Sequence, residues 1–295
     1  MKFSQLLLII ALSCATAFAT SYYIGTHRTD ATAQAEAKET AFDRIVKTNI
    51  LRCGYAVATP WFMMDPITNK PSGIGYEMTN AIAAKIGLKV DWVEETGWGV
   101  AEQGLMTGRY DMLCGSVCID PRRARAATYS TPYLHLPIMA VVRADDARFD
   151  NTPAPLKLMN AKDIKLGVKN GHVFEFIANE QFPLTGKVYG NDISDDTEFL
   201  EMLKTKKVDV AFSGQSTVDL YNEKNPDSKV KSIAAVRFCD GGYMMPLGDI
   251  RLKYMIDNAI MELSTSGQIR QILNHWVKPD DPLYVRAPAM PYGEK

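Results

Sequence analysis

The sequence predicts an α/β protein of two lobes, each a mainly parallel sheet with helices on both faces. Three observations carry this expectation. Between Asn49 and Val117 apolar strands alternate with helically spaced segments, the order of a parallel sheet under helical cover. The alternation starts again near Asp163 without repeating the first sequence. The chain also has 295 residues, 46% of them hydrophobic, which suits two cores better than one.

The elements follow in order. Residues 1–19 carry one Lys, an apolar run and small residues ending Ala17-Phe18-Ala19, the pattern of an export signal peptide. Apolar character continues through Tyr22, Tyr23 and Ile24, so an uncleaved membrane anchor is the alternative. Lipidation at Cys14 is a third reading. All three place the chain outside the cytoplasm, in the periplasm. Residues 20–44 are a polar, Ala-rich spacer passing into a short helix. Residues 45–140 form the first part of lobe 1. NILRCGYAV is a strand and ATPWFMMDPITNKPSG a loop. IGYEMTNAIAAKIG is a helix with Met78, Ile82 and Ile86 in register, closing on Gly87. LKVDWVEE is a strand, WGVAEQGLMTGRY a helix and DMLCGSV a strand. Residues 141–238 form lobe 2, from DIKLGVKNG to VDVAFSG. Strands in IMAVVRAD and GGYMMPL are placed to cross between the lobes. Residues 239–277 return to lobe 1 through a long helix with a break at Gly267, and the Pro-rich tail 278–295 wraps the surface or frays.

Charged residues make up 23% of the chain, with a formal net charge of -1, so no positive stripe suits nucleic acid. Beyond the signal, Cys53, Cys114, Cys118 and Cys239 sit in an oxidising compartment. Three disulfide pairings are open to them, including a Cys114–Cys118 bridge around a strand end, and buried free thiols are the alternative. No metal-ligand spacing appears, and neither metal nor cofactor is expected.

Two lobes joined by crossing strands leave a cleft, and ligands of open sheets bind at strand carboxyl ends. Three such ends, after Ala56, Cys114 and Val168, carry polar or aromatic loops. The run DPRRARAA begins as a helix, with Asp120 as cap and Pro121 in the first turn. Arg122, Arg123 and Arg125 therefore cannot all face the cleft, and one of them suits a carboxylate through its planar fork. Trp61, Phe62 and Trp98 offer flat walls. Ser116 and Cys118 share the strand end before the arginines. Lys169 and His172 flank Gly171 in the opening turn of lobe 2. There is no nucleophile motif and no phosphate loop, and a lone His lacks a positioned acid, so the expectation is binding rather than catalysis.

These stretches, in this order over roughly residues 45–277, resemble the periplasmic solute-binding proteins of family 3, the polar amino-acid uptake type. The resemblance implies the two-lobed periplasmic binding protein fold (type II), a Venus-flytrap that closes on a solute and hands it to an ABC-type importer. It implies that Arg123, seven residues before Ser130, grips a ligand carboxylate, with Arg122 as the other candidate. Trp98 takes the place of a ring against the ligand side chain. Trp61 and Phe62 form another wall, and Lys169 and Gly171 match the opening turn. Three positions depart from the family pattern: Cys118 replaces a hydroxyl residue, Thr128 an Asp, and Gly214 the Asp that meets the ligand's amino group. A buried ammonium without a counter-charge is costly. Either the ligand lacks an amine, or Glu77, Asp219 or Asp240 substitutes.

The resemblance further implies a monomer whose partners are a small carboxylate or amino-acid ligand and an inner-membrane permease, with no nucleic acid. Two other readings remain. One is a diverged protein serving an oxidase assembly system or a sensor through a protein partner. The other is a dehydratase-like enzyme on the same scaffold.

Overall fold

The computed structural model describes residues 14–23, 39–227, 229–278 and 284–285. Residues 14–23 are an exposed helix, with the Thr20 hydroxyl donating to the Thr16 carbonyl at 2.8 Å. No helix among the described residues is long and apolar enough to cross a membrane. The rest of the signal segment, most of the spacer and most of the tail lie outside the described residues.

The body of the protein begins at α1 (Ala41–Thr48), followed by β1 (Ile50–Tyr55). The aromatic stretch read as a loop contains a small hairpin, β2 (Met63–Met64) and β3 (Pro71–Ser72). Next come α2 (Ile74–Ile86), β4 (Lys89–Glu95), α3 (Ala101–Thr107), β5 (Met112–Cys118) and β6 (Ala127–Tyr129). The strand β7 (Leu134–Arg143) then crosses into the second lobe. That lobe holds α4 (Pro155–Met159), β8 (Lys165–Val168), α5 (Val173–Gln181), β9 (Gly186–Tyr189), α6 (Glu198–Lys204), β10 (Ala211–Ser213) and α7 (Gln215–Lys224). The long strand β11 (Val230–Pro246) returns to α8 (Ile250–Thr265), α9 (Gln268–Trp276) and β12 (Tyr284–Val285).

Apolar spacing explains the helices. Ile74, Met78 and Ile82 of α2 are buried, and Gly87 ends the helix at φ +79, donating to the Ala83 and Ala84 carbonyls. Leu252, Ile256, Ile260 and Leu263 bury one face of α8, whose first turn is capped by Asp249 accepting from the Leu252 amide. Gly267, at φ +77, separates α8 from α9, at the break the sequence predicts.

One mixed sheet runs β10-β7-β11-β5-β1-β4, with β6 paired to β11 and β12 to β7. Strand β1 is parallel to β4 and β5, whereas β11 is antiparallel to β5, β6 and β7. A second, parallel pair joins β8 to β9. Two large cores flank the crossing strands. One gathers Ile45, Leu51, Met78, Ile82, Met112, Tyr243 and Ile256. The other gathers Leu166, Val168, Phe174, Phe199, Val210 and Phe212. The unit that begins at Ala41 is thus bilobed. The strand β12 shows that part of the tail pairs with the sheet at His135 and Leu134.

Both disulfides are formed, Cys53–Cys114 and Cys118–Cys239. This corrects the Cys114–Cys118 alternative and the free-thiol alternative. Cys114 and Cys118 are four residues apart on the extended strand β5, and at ~3.3 Å per residue their Cα atoms lie too far apart for a bridge. Each cysteine instead finds a neighbouring strand, at Cα–Cα 5.4 Å for Cys53–Cys114 and 5.3 Å for Cys118–Cys239.

Candidate functional site

A cavity of about 110 Å³ lies at the carboxyl end of β5, between the loops of the two lobes. Trp61, Phe62, Trp98, Ser116, Cys118, Arg123 and His172 all line it. Lys169 and Gly171 adjoin it without lining it.

The walls derive from local folding. Phe62 follows β1 and is buried in an aromatic cluster, its ring 4.5 Å from Tyr55 and 4.7 Å from Trp92. Trp98 opens the short turn before α3 and meets the His172 ring edge-on at 5.0 Å. Ser116 sits near the end of β5 with its hydroxyl buried. Cys118 lies in the cavity wall as a disulfide, so its sulfur stands there as an apolar group and not as a thiol.

The stretch DPRRARAA forms only a 3₁₀ turn, Arg123–Arg125, in place of the helix expected there. The turn sorts the arginines. Arg125 is exposed. Arg122 is held by Asp120, with Nε at 2.9 Å and Nη2 at 2.7 Å, and its guanidinium covers the Phe176 ring at 4.1 Å. Arg123 alone of the three lines the cavity. Its Nε donates to Glu102 Oε1 and its Nη2 donates to the Trp98 carbonyl at 2.9 Å. Burial alone would push the Glu102 carboxyl up, but the guanidinium beside it prevails and holds it below the usual range. The same contest, settled by Arg122, holds Asp120 low.

In the second lobe, Lys169 is fully buried, and its ammonium donates to the Ser194 carbonyl at 2.6 Å and to Asp196 Oδ1 at 2.8 Å. That engagement turns it from the cavity. His172 caps α5, its Nδ1 accepting from the Phe174 amide at 3.3 Å. In the neutral ring the proton therefore sits on Nε2, which is 4.0 Å from Asp196 Oδ2. Burial pushes the His172 pKa down to about 4, with Lys169 and Arg123 adding to the shift and Asp196 opposing it. The folded protein thus binds fewer protons here than the unfolded chain does between pH ~6.5 and ~4, so stability falls as pH falls through that window. The expected contribution is about 3 kcal/mol by pH 4. His172→Asn keeps a capping side chain and removes the titration. Its melting temperature should fall less than that of the parent between pH 6.5 and 4.5, and parallel curves would refute the assignment.

Several contacts span the cleft. Asp195 Oδ2 accepts from the Thr59 amide at 3.1 Å and from the Thr59 hydroxyl at 2.6 Å, while the Thr217 hydroxyl donates to the Thr59 carbonyl at 2.8 Å. Gly171, at φ +67, faces Gly99 so closely that a Cβ added to Gly171 would lie 2.6 Å from the Gly99 Cα. Gly171→Ala is expected to wedge the mouth and to weaken ligand binding about tenfold or more, on top of the ~1–2 kcal/mol cost of a left-handed Ala. Calorimetry would measure the first effect, and unchanged affinity would mean the two glycines separate in the bound state.

Sequence reasoning missed Glu102, Asp120 as a wall residue, Asp196, Thr59 and Thr217. Their partners lie 21 to 158 residues away, except for the Asp120–Arg122 pair, and no local pattern marks them. Glu77, Asp219 and Asp240 do not line the cavity and hold other partners: Trp276, Gln215 and His135.

Comparisons with known proteins agree with this architecture. The model of the family described as "Bacterial extracellular solute-binding proteins, family 3" matches residues 51–279. A probable amino-acid ABC transporter-binding protein of Haemophilus influenzae is 24% identical over 79% of this chain and 87% of its own. A cyclohexadienyl dehydratase of Pseudomonas aeruginosa is 22% identical over 84% of this chain and 90% of its own. The crystal structure of an ancestral amino acid-binding protein, a precursor of cyclohexadienyl dehydratase, superposes with TM-score 0.71 at 22% identity. It covers 81% of this chain and all of that one, a likeness of fold.

Proposed function

Since the chain belongs to the family-3 bacterial extracellular solute-binding proteins, we propose that it captures a small carboxylate-bearing solute between its lobes for an ABC-type importer. The solute is an amino acid or a related organic acid, and the receiving partner is an inner-membrane permease. The protein works in the periplasm, where disulfides persist.

One observation carries the reading: Arg123 is held beside Trp98 at the wall of a cavity between the lobes that Trp61 and Phe62 also line. A guanidinium fixed by protein partners is pre-organised for a carboxylate, so little ordering cost falls on binding. The Haemophilus relative's name, a probable amino-acid ABC transporter-binding protein, supports the ligand class.

The dehydratase relative keeps a catalytic reading in view. Against it, Glu102 and Asp120 are both held low by arginines, which disfavours either as a proton donor at neutral pH. Tyr129 is pushed up to about 12, chiefly by burial. We therefore propose a binding protein without turnover.

Native mass spectrometry of gently purified protein, then calorimetry with the released solute, tests the proposal. A co-purifying amino or organic acid that rebinds with one-site stoichiometry supports it. A folded protein that neither carries nor binds any such acid refutes it, and product formed from a cyclic acid substrate would install the enzymatic reading.

A further inference from the structure

Thr59 stands in the loop after β1, just before the wall residues Trp61 and Phe62. Its neighbours are tied into their own lobe. Ala58 exchanges two hydrogen bonds with Phe62, the Pro60 carbonyl accepts from the Ile74 amide at 3.0 Å, and the Trp61 carbonyl accepts from the Gly75 amide at 2.7 Å. Thr59 is the exception. All three of its polar groups turn to the second lobe: the amide and the hydroxyl donate to Asp195 Oδ2, and the carbonyl accepts from the Thr217 hydroxyl. Among the described residues it makes no hydrogen bond within its own lobe.

The second lobe offers matching groups. Asp195 pairs with no cation among the described residues; its Oδ1 accepts from the Thr197 amide at 2.8 Å, and its Oδ2 has Thr59 alone. Thr217 is buried in the first turn of α7, and its hydroxyl donates to Thr59 and to no group of its own lobe. Breaking this contact therefore leaves the hydrogen bonds within each lobe intact. Making it satisfies a carboxylate oxygen that otherwise needs water. Hydrogen bonds to a carboxylate are about twice as strong as neutral ones. The other contacts across the mouth are weaker in kind. Arg122 covers the Phe176 ring at 4.1 Å but is bonded to Asp120 in its own lobe. Gly171 meets Gly99 by van der Waals contact. Lys278 reaches Asp219 of α7 at 3.2 Å, an exposed ion pair of the sort that contributes little.

We infer that Thr59, Asp195 and Thr217 form a latch that closes the cleft on the protein's own hydrogen bonds, so that the ligand-free protein is predominantly closed. Thr59 is the bolt, and through it the second lobe positions the loop that carries Trp61 and Phe62. A solute enters only from the minor, unlatched state, and its contacts add to a closure that already exists. The inference stands apart from the solute-binding reading, because every contact in the latch joins two protein groups.

The test is small-angle X-ray scattering with amide hydrogen exchange and no ligand. The protein is freed of bound small molecules by unfolding with its disulfides intact, dialysis and refolding. The parent should scatter as the closed structure does. Asp195→Ala and Thr59→Val should keep the parent's circular dichroism and scatter with a larger radius of gyration. Thr217→Val leaves the Thr59 amide on Asp195, and loss of its one neutral hydrogen bond should speed exchange of that amide about fivefold. Lys278→Ala loses only an exposed pair and should change neither reading. Variants on both lobes keep the test intact if one fails to fold. An open ligand-free parent overturns the inference. Folded Asp195→Ala and Thr59→Val proteins as compact as the parent overturn it, as does unchanged Thr59 exchange in Thr217→Val. Opening by Lys278→Ala as large as that by Asp195→Ala removes Thr59 from the role of bolt.

Discussion

Replacing Cys118 and Cys239 together by Ser should lower stability by about 4–5 kcal/mol, because the bridge closes a loop with a sequence separation of 121. The long loop makes the entropic constraint on the unfolded chain large. The position adds to it. Cys118 ends β5 and Cys239 lies within β11, so the bridge ties a strand of the first lobe to a crossing strand. At this chain length the melting temperature should drop by roughly 10–20 °C. Thermal unfolding of the double variant beside the oxidised parent measures it, and a drop below about 3 °C would show that the bridge contributes little. Since both sulfurs belong to cavity-lining residues, the variant should also bind ligand more weakly.

Arg123→Ala should abolish measurable ligand binding and cost about 3 kcal/mol of stability, the loss typical of breaking a buried ion pair. The two losses have different origins. Binding fails because the carboxylate loses its donor. Stability falls because Glu102, with a side chain 19% exposed, keeps a charge without a partner, and the Trp98 carbonyl loses its donor. Adding Glu102→Gln should therefore restore most of the stability and none of the binding. Equal recovery of both, measured by chemical unfolding and calorimetry, would remove Arg123 from the ligand site. Retained affinity in the single variant would do so too.

The fold was legible where periodicity and punctuation agree. Met78 and Ile82 with Gly87, and the α8 face with Gly267, declare their helices locally. The arginine turn was less legible: Asp120 and Pro121 look like a helix start, yet Asp120 binds Arg122 instead and only one turn forms. The site was visible as single residue types on loops, which brought Trp61, Phe62, Trp98, Arg123 and His172 to one cavity. What sequence could not display is which charge meets which. Glu102 reads as one more acid on an amphipathic helix until the fold brings Arg123, 21 residues on, against it. Lys169 reads as a ligand cation until Asp196 and Ser194 take its ammonium.

The two crossing strands belong to both cores at once. Along β7, Leu134 enters one core while Ile138, Ala140, Val141 and Val142 enter the other. Along β11, Val230 and Cys239 serve the second core and Tyr243 and Met245 the first. No cut in the chain separates one lobe with its apolar face complete. The lobes are therefore not interchangeable modules: exchanging one for a homologue's would import half of each shared strand and mismatch both interiors.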